Sequence, residues 1–201
     1  VLSLFFVDRV ANYRSYDAQG NVVDGKFAVW FKEIYNELIH KSTYQSLSKY
    51  SDKIHNGYFS QDKKGRVKDT SGETQADADT YNLIMKDKET LLDMNNPLRF
   101  IFSHTALREG WDNPNVFQIC TLNETKSEIK KRQEIGRGLR LAVNQDGVRC
   151  YDRNINRLTV VANESYNDFA KALQNELQED CGVDFSGRIK PKRNRVSVKY
   201  K

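Results

Sequence analysis

Residues 2–7, LSLFFV, form an apolar run broken only by Ser3. A strand with one wet face alternates polar and apolar side chains, so a run without alternation is expected of a strand covered on both faces, as in a parallel sheet flanked by helices. The rest of the chain agrees. Short β-rich runs alternate with longer amphipathic ones and no repeat of fixed period occurs, which is the pattern of an α/β protein.

Residues 27–41 place Phe27, Trp30, Phe31, Ile34, Tyr35, Leu38 and Ile39 at helical spacing, with Lys32, Glu33, Asn36 and Glu37 on the other side. The spacing predicts a helix docked on the sheet through an aromatic stripe. Residues 61–80 (QDKKGRVKDTSGETQADADT) contain almost nothing apolar and are expected to form a mobile polar loop. Tyr81, Ile84, Met85, Leu91 and Leu92 mark a helix ending near Asn95, Asn96 and Pro97. Leu98–Phe102, Val116–Leu122 and Arg157–Ala162 read as strands. Asn163 or Ser165 can cap a last helix bearing Tyr166, Phe169, Ala170, Leu173 and Leu177, which stops before Gly182.

Composition removes several classes. With 201 residues, 38% hydrophobic and 29% charged, one large domain with a packed core is the expectation, and no apolar run approaches the roughly 20 residues of a membrane span. The opening VLSLFFVDRV meets charge by Asp8, so it reads as neither anchor nor signal peptide, and the lack of an initial methionine suggests a piece of a longer polypeptide. The net charge of +5 belongs to the end of the chain: residues 188–201 hold seven Lys or Arg and no acid, leaving 25 basic against 27 acidic groups elsewhere. That tail reads as a solvated linker toward a next domain or as a phosphate-contacting arm. Cys120, Cys150 and Cys181, without a CxxC pair, read as free thiols of a cytoplasmic protein. His40, His55 and His104 have no ligand spacing, so no metal site is expected.

Chemistry concentrates in residues 99–141. If helical, residues 133–140 put Gln133, Gly136, Arg137 and Arg140 on one face at i, i+3, i+4 and i+7, while Ile135, Leu139, Ala142 and Val143 repeat that spacing on another face. Gly136 costs about 1 kcal/mol of helix propensity relative to Ala, a cost tolerated where something approaches the backbone closely. A solvated basic helix is the plainer alternative, since Lys130, Lys131 and Arg132 lie just before it. Upstream, SHTALREGWDNP leaves a strand at Ser103, and ligands of open α/β sheets bind outside the carboxyl ends of strands. Asp112 there is either a site residue or an Asx-turn residue before Asn113 and Pro114.

LREGWDNP followed by QEIGRGLR resembles motifs V and VI of superfamily 2 helicases and translocases, which lie on the second of two RecA-like domains, and the first string is also similar to that of an excision-repair helicase. The longer string FIFSHTALREGWDNPNVFQICTLN, preceded by HNGYFS and NLIMKDKE, resembles the Res subunit of type III restriction enzymes. The resemblance runs from LSLFFVD to GVDFSGRIK, so residues 1–187 are expected to be the second RecA-like motor domain: a three-layer α/β fold with a mostly parallel sheet and helices on both faces.

The resemblance implies that ATP and Mg²⁺ sit in a cleft shared with a first RecA-like domain. Arg137 and Arg140 would be fingers reaching the γ-phosphate, and Gln133 would position the γ-phosphate or the attacking water. Gly110, Asp112 and Gly136 would lie at the nucleotide, with the Asp112 carboxylate on a ribose hydroxyl. Ser103, His104, Thr105 and Arg108 would face the double-stranded DNA. His55, Asn56 and Tyr58 would either meet nucleic acid or serve a loop-closing or core role. A methyltransferase (Mod) partner would recognise DNA and use S-adenosylmethionine.

The departures also bear on function. No GxxxxGKS or GxxxxGKT string and no DEAD-like acidic box occurs in the 201 residues, so the chain alone is expected to lack ATPase activity. Asp112, Glu128 and Lys130 imitate the D…ExK order of a metal nuclease, but Asp112 belongs to the motif V turn and Glu128 reads as a cap of the arginine-bearing helix. Two rivals stand beside the Res reading: another superfamily 2 DNA helicase of repair type, and a non-catalytic nucleic-acid-binding module with a degenerate motor fold.

Overall fold

The computed structural model describes residues 1–45, 53–62, 64–69, 88–93, 95–104, 113–123, 127–161 and 164–182. Its elements are β1 (Leu2–Val7), a 3₁₀ turn (Val10–Asn12), β2 (Arg14–Tyr16), β3 (Val22–Asp24), α1 (Lys26–Ile39), β4 (His55–Tyr58), α2 (Lys88–Leu92), β5 (Phe100–Ser103), β6 (Val116–Leu122), α3 (Glu128–Gly136), β7 (Thr159–Val161) and α4 (Glu164–Cys181). Five strands make one parallel sheet in the order β4-β5-β1-β6-β7, and β2 and β3 form a separate antiparallel hairpin.

β1 is the centre of the sheet, as its unalternating composition requires. Leu2, Leu4 and Phe6 face one side with Leu91, Ile101, Val116 and Ile119. Val7 and Phe102 face the other with Val10, Tyr13, Ala28 and Phe59, and Phe5, Phe27, Phe31 and Phe100 pack against them. Leu91 belongs to α2 and Ala28 and Phe31 to α1, so helices cover both faces and the expected three-layer α/β architecture is present. Ser3, the polar break in the run, donates from Oγ to Gln118 Oε1 on β6 at 2.7 Å. Burying such a hydroxyl is tolerable because that bond is made.

The aromatic stripe of α1 is buried over less of its width than its spacing implies. Tyr35 and Ala28 are buried and Phe31 meets Phe5, Phe100 and Phe102 of the sheet edge-on, whereas Trp30 and Ile34 are 43% and 57% exposed. The helix starts where Gly25 passes the 3₁₀ turn, since a Cβ at Gly25 would lie 2.3 Å from the Ala11 carbonyl oxygen. Within the polar stretch 61–80, Gln61 pairs with Val67, the Val67 N–H donates to Tyr16 Oη at 2.9 Å, and Asp69 Oδ1 accepts from Val10 N–H at 2.7 Å. Residues 70–80 lie outside the described residues, as does the start of the helix expected from Tyr81.

The chain divides into two compact units, residues 1–163 and residues 164–201. In the second, α4 ends at Cys181 with Gly182 in the left-handed region (φ 62°), its N–H donating to the Gln178 carbonyl at 3.0 Å. Residues 183–201, including the basic tail, lie outside the described residues. No helix among the described residues is long and apolar enough to cross a membrane.

Candidate nucleotide and nucleic-acid site

The carboxyl ends of β1, β5 and β6 lie side by side. Phe6 is in register with Ser103 on one neighbour and Thr121 on the other, so these three side chains share a face at one edge of the sheet. The connections leave in opposite directions, β1 leading toward the β4 edge and β6 toward β7, and such a reversal opens a crevice at the strand ends. Ser103 and Thr121 are buried there, and their hydroxyl oxygens have no hydrogen-bond partner among the described residues.

His104 follows β5. Its Nδ1 stands 4.0 Å from Asp69 Oδ1, the limit of charge pairing. Burial lowers its pKa, and the Lys130 charge acts in the same direction, while Asp69 and Asp8 oppose them. The imidazole is therefore biased toward its neutral form. Thr105, Arg108, Gly110 and Asp112 lie outside the described residues. Asn113, where the described chain resumes, is fully buried and accepts the Asn115 N–H on Oδ1 at 2.9 Å, forming the Asx turn that feeds β6.

α3 is joined to this edge. It is capped by Ser127, whose side chain accepts from Lys130 N–H at 3.3 Å. Glu128, read from sequence as the cap, occupies the first turn instead, where its charge still complements the helix dipole. Two observations join α3 to the strand ends: Lys130 contributes to the field at His104, and Asn123, just past β6, donates from Nδ2 to Glu134 Oε1 at 3.2 Å. Glu134 is buried, and burial raises its pKa, with the Asn123 bond and the Lys130, Arg137 and Lys131 charges opposing in part.

The single-face arrangement of Gln133, Gly136, Arg137 and Arg140 needs correction. The helix ends at Gly136, with Arg137 as its C-cap, and Arg140 stands in a bend beyond it. Gln133 and Arg137 keep their i, i+4 relation, half-buried and 7% exposed respectively, whereas Arg140 is exposed. The apolar stripe fails for the same reason: Ile135 and Ala142 are buried, but Leu139 is 60% exposed.

Sequence reasoning passed over Gly138, in the turn that follows α3. A Cβ there would lie 2.4 Å from Leu158 Cδ1, so the turn after α3 packs directly on a side chain that closes one core face. At Gly136, by contrast, a Cβ would meet nothing within 4 Å. On its side-chain side Gly136 thus borders open space among the described residues, while its carbonyl accepts the Leu139 N–H at 3.3 Å. His55, one of the residues with two readings, is half-buried and packs among Tyr13, Phe31 and Phe102.

Comparison with known proteins bears on this arrangement. No family model matches the chain. It is 43% identical over 164 residues, 76% of its length, to the EcoPI Res subunit of a type III restriction-modification enzyme from Escherichia phage P1, and equally to the EcoP15I Res subunit from Escherichia coli. The chain belongs to the type III Res family. The StyLTI Res subunit of Salmonella typhimurium (strain LT2) is 32% identical over 217 residues, 92% of the chain. The chain spans only 16% of the length of the first two Res proteins and 20% of the third.

Proposed function

We propose that this chain is the second motor domain of an ATP-dependent DNA translocase within a cytoplasmic type III Res protein. The observation that carries the reading is α3: it is tied to the carboxyl ends of the parallel strands through Glu134 and Asn123, and ends within a turn in a held guanidinium, Arg137. Arg140 follows on an exposed segment from which it can reach another lobe.

Phosphoryl transfer leaves little covalent work to a protein, and rate comes mainly from fixing positive charge on the equatorial oxygens of the transferred group. Arg137 and Arg140 supply permanent charge on a planar fork that matches phosphate geometry. Gln133, one turn before Arg137, orients the γ-phosphate or attacking water, and open space at Gly136 lets the nucleotide approach. The phosphate loop and Mg²⁺ ligands belong to a first RecA-like domain outside these residues. On this reading Gly110 and Asp112 serve the nucleotide, and the segment bearing Ser103, His104, Thr105 and Arg108 serves double-stranded DNA. A modification methyltransferase (Mod) partner, the user of S-adenosylmethionine, supplies sequence recognition.

In a full-length Res protein carrying this segment, Arg137→Ala should lower ATP hydrolysis by about 10³-fold or more while leaving ATP binding largely intact. If that variant instead keeps its turnover and loses DNA affinity with a shallower salt dependence, the segment is a nucleic-acid-binding module and not a finger donor.

A further inference from the structure

At the opposite edge of the sheet, the amino ends of β4 and β5 border a cleft of about 580 Å³. Three cations from separately anchored elements line it: Arg14 from β2, Lys32 from α1 and Lys53 from the segment entering β4. The acidic group among the described lining residues is Asp24, which faces Arg14 across the β2–β3 pair and is already bonded to Lys32 Nζ. Among its described lining residues the cleft therefore carries two positive charges in excess.

Its floor is rigid. The Tyr13 hydroxyl and His55 Nδ1 are 2.8 Å apart, and both rings pack against Phe102. Desolvation keeps the tyrosine protonated and biases the histidine toward its neutral form. Neither group brings negative charge to offset the cations. Asn56 uses Oδ1 for the Gly57 N–H, which leaves its amide N–H₂ as the part able to donate to an anion.

We infer that this cleft binds a phosphate group. Excess positive charge gathered in a concave site selects an anion, and guanidinium, ammonium and amide donors in combination suit tetrahedral oxyanions. The cleft lies away from the carboxyl edge assigned above to nucleotide and DNA, so the inference does not rest on the motor reading. The phosphate could come from a free small molecule or from a nucleic-acid backbone, and the experiment separates the two.

The 201-residue chain is titrated with inorganic pyrophosphate and followed by amide and side-chain NMR shifts. Saturable shifts confined to Arg14, Lys53, Asn56 and their neighbours are expected, with affinity weakened about tenfold or more in Arg14→Gln/Lys53→Gln and unchanged in Arg153→Gln, an exposed residue before β7 that does not line the cleft. A short DNA duplex that moves the same amides and competes with pyrophosphate assigns the phosphate to a nucleic-acid backbone. A duplex that leaves them unmoved assigns it to a small ligand. Absence of pyrophosphate shifts at these residues, or equal affinity in the double variant, overturns the inference.

Discussion

Glu134 shows how a residue between two motif positions shapes the site. A carboxyl whose folded-state pKa is raised keeps its proton longer in the folded than in the unfolded chain. Folding stability then falls as pH rises from about 4.5 upward, where the unfolded chain ionises first. Glu134→Gln keeps an acceptor for Asn123 and cannot ionise. Its stability relative to the unsubstituted chain should therefore increase between pH 5 and pH 8 in urea unfolding, whereas a pH-independent offset would contradict the assignment. At this scale the sequence was legible in type more than in geometry. Gln133, Arg137 and Arg140 stand out as polar groups at helical spacing, but spacing continues past the point where a helix stops. The turn that follows requires glycine at position 138 because it packs on Leu158, a contact between residues twenty positions apart.

Among the elements, the turn leaving α3 separates two glycines that look alike in GRG. Gly136→Ala should leave stability unchanged or raise it by up to about 1 kcal/mol, because Ala is the better helix former and nothing crowds its methyl group. Gly138→Ala must displace Leu158 from a core face, at about 1–3 kcal/mol of overpacking. Thermal unfolding of the two variants checks the contrast; equal losses would mean that Gly136 is also held by the fold. Central strands were the easiest elements to read: β1, β5 and β6 are rich in apolar residues, and β1 at the centre is covered on both faces. β4 escaped notice because it is an edge strand spelled HNGY, whose packing comes from aromatic rings elsewhere in the chain. The β2–β3 hairpin, with β3 exposed, gave no apolar signal either.

For the molecule as a whole, the parallel sheet and its covering helices followed from the alternation of elements, and the family from the paired motifs. What remained hidden was the amino-edge cleft, which is assembled from single charged residues on four segments that no local pattern connects. The whole chain also sets a limit on activity. With no phosphate loop in the 201 residues, the purified chain should hydrolyse ATP no faster than a protein-free control in the presence of Mg²⁺ and DNA, and robust turnover would contradict a shared site. The most direct test is a structure of a full-length Res protein carrying this segment, bound to DNA and a non-hydrolysable ATP analogue, in which the guanidinium distances to the γ-phosphate are measured. The account predicts Arg137 and Arg140 within about 3 Å of its oxygens. Both side chains lying beyond hydrogen-bond reach of the nucleotide would contradict it.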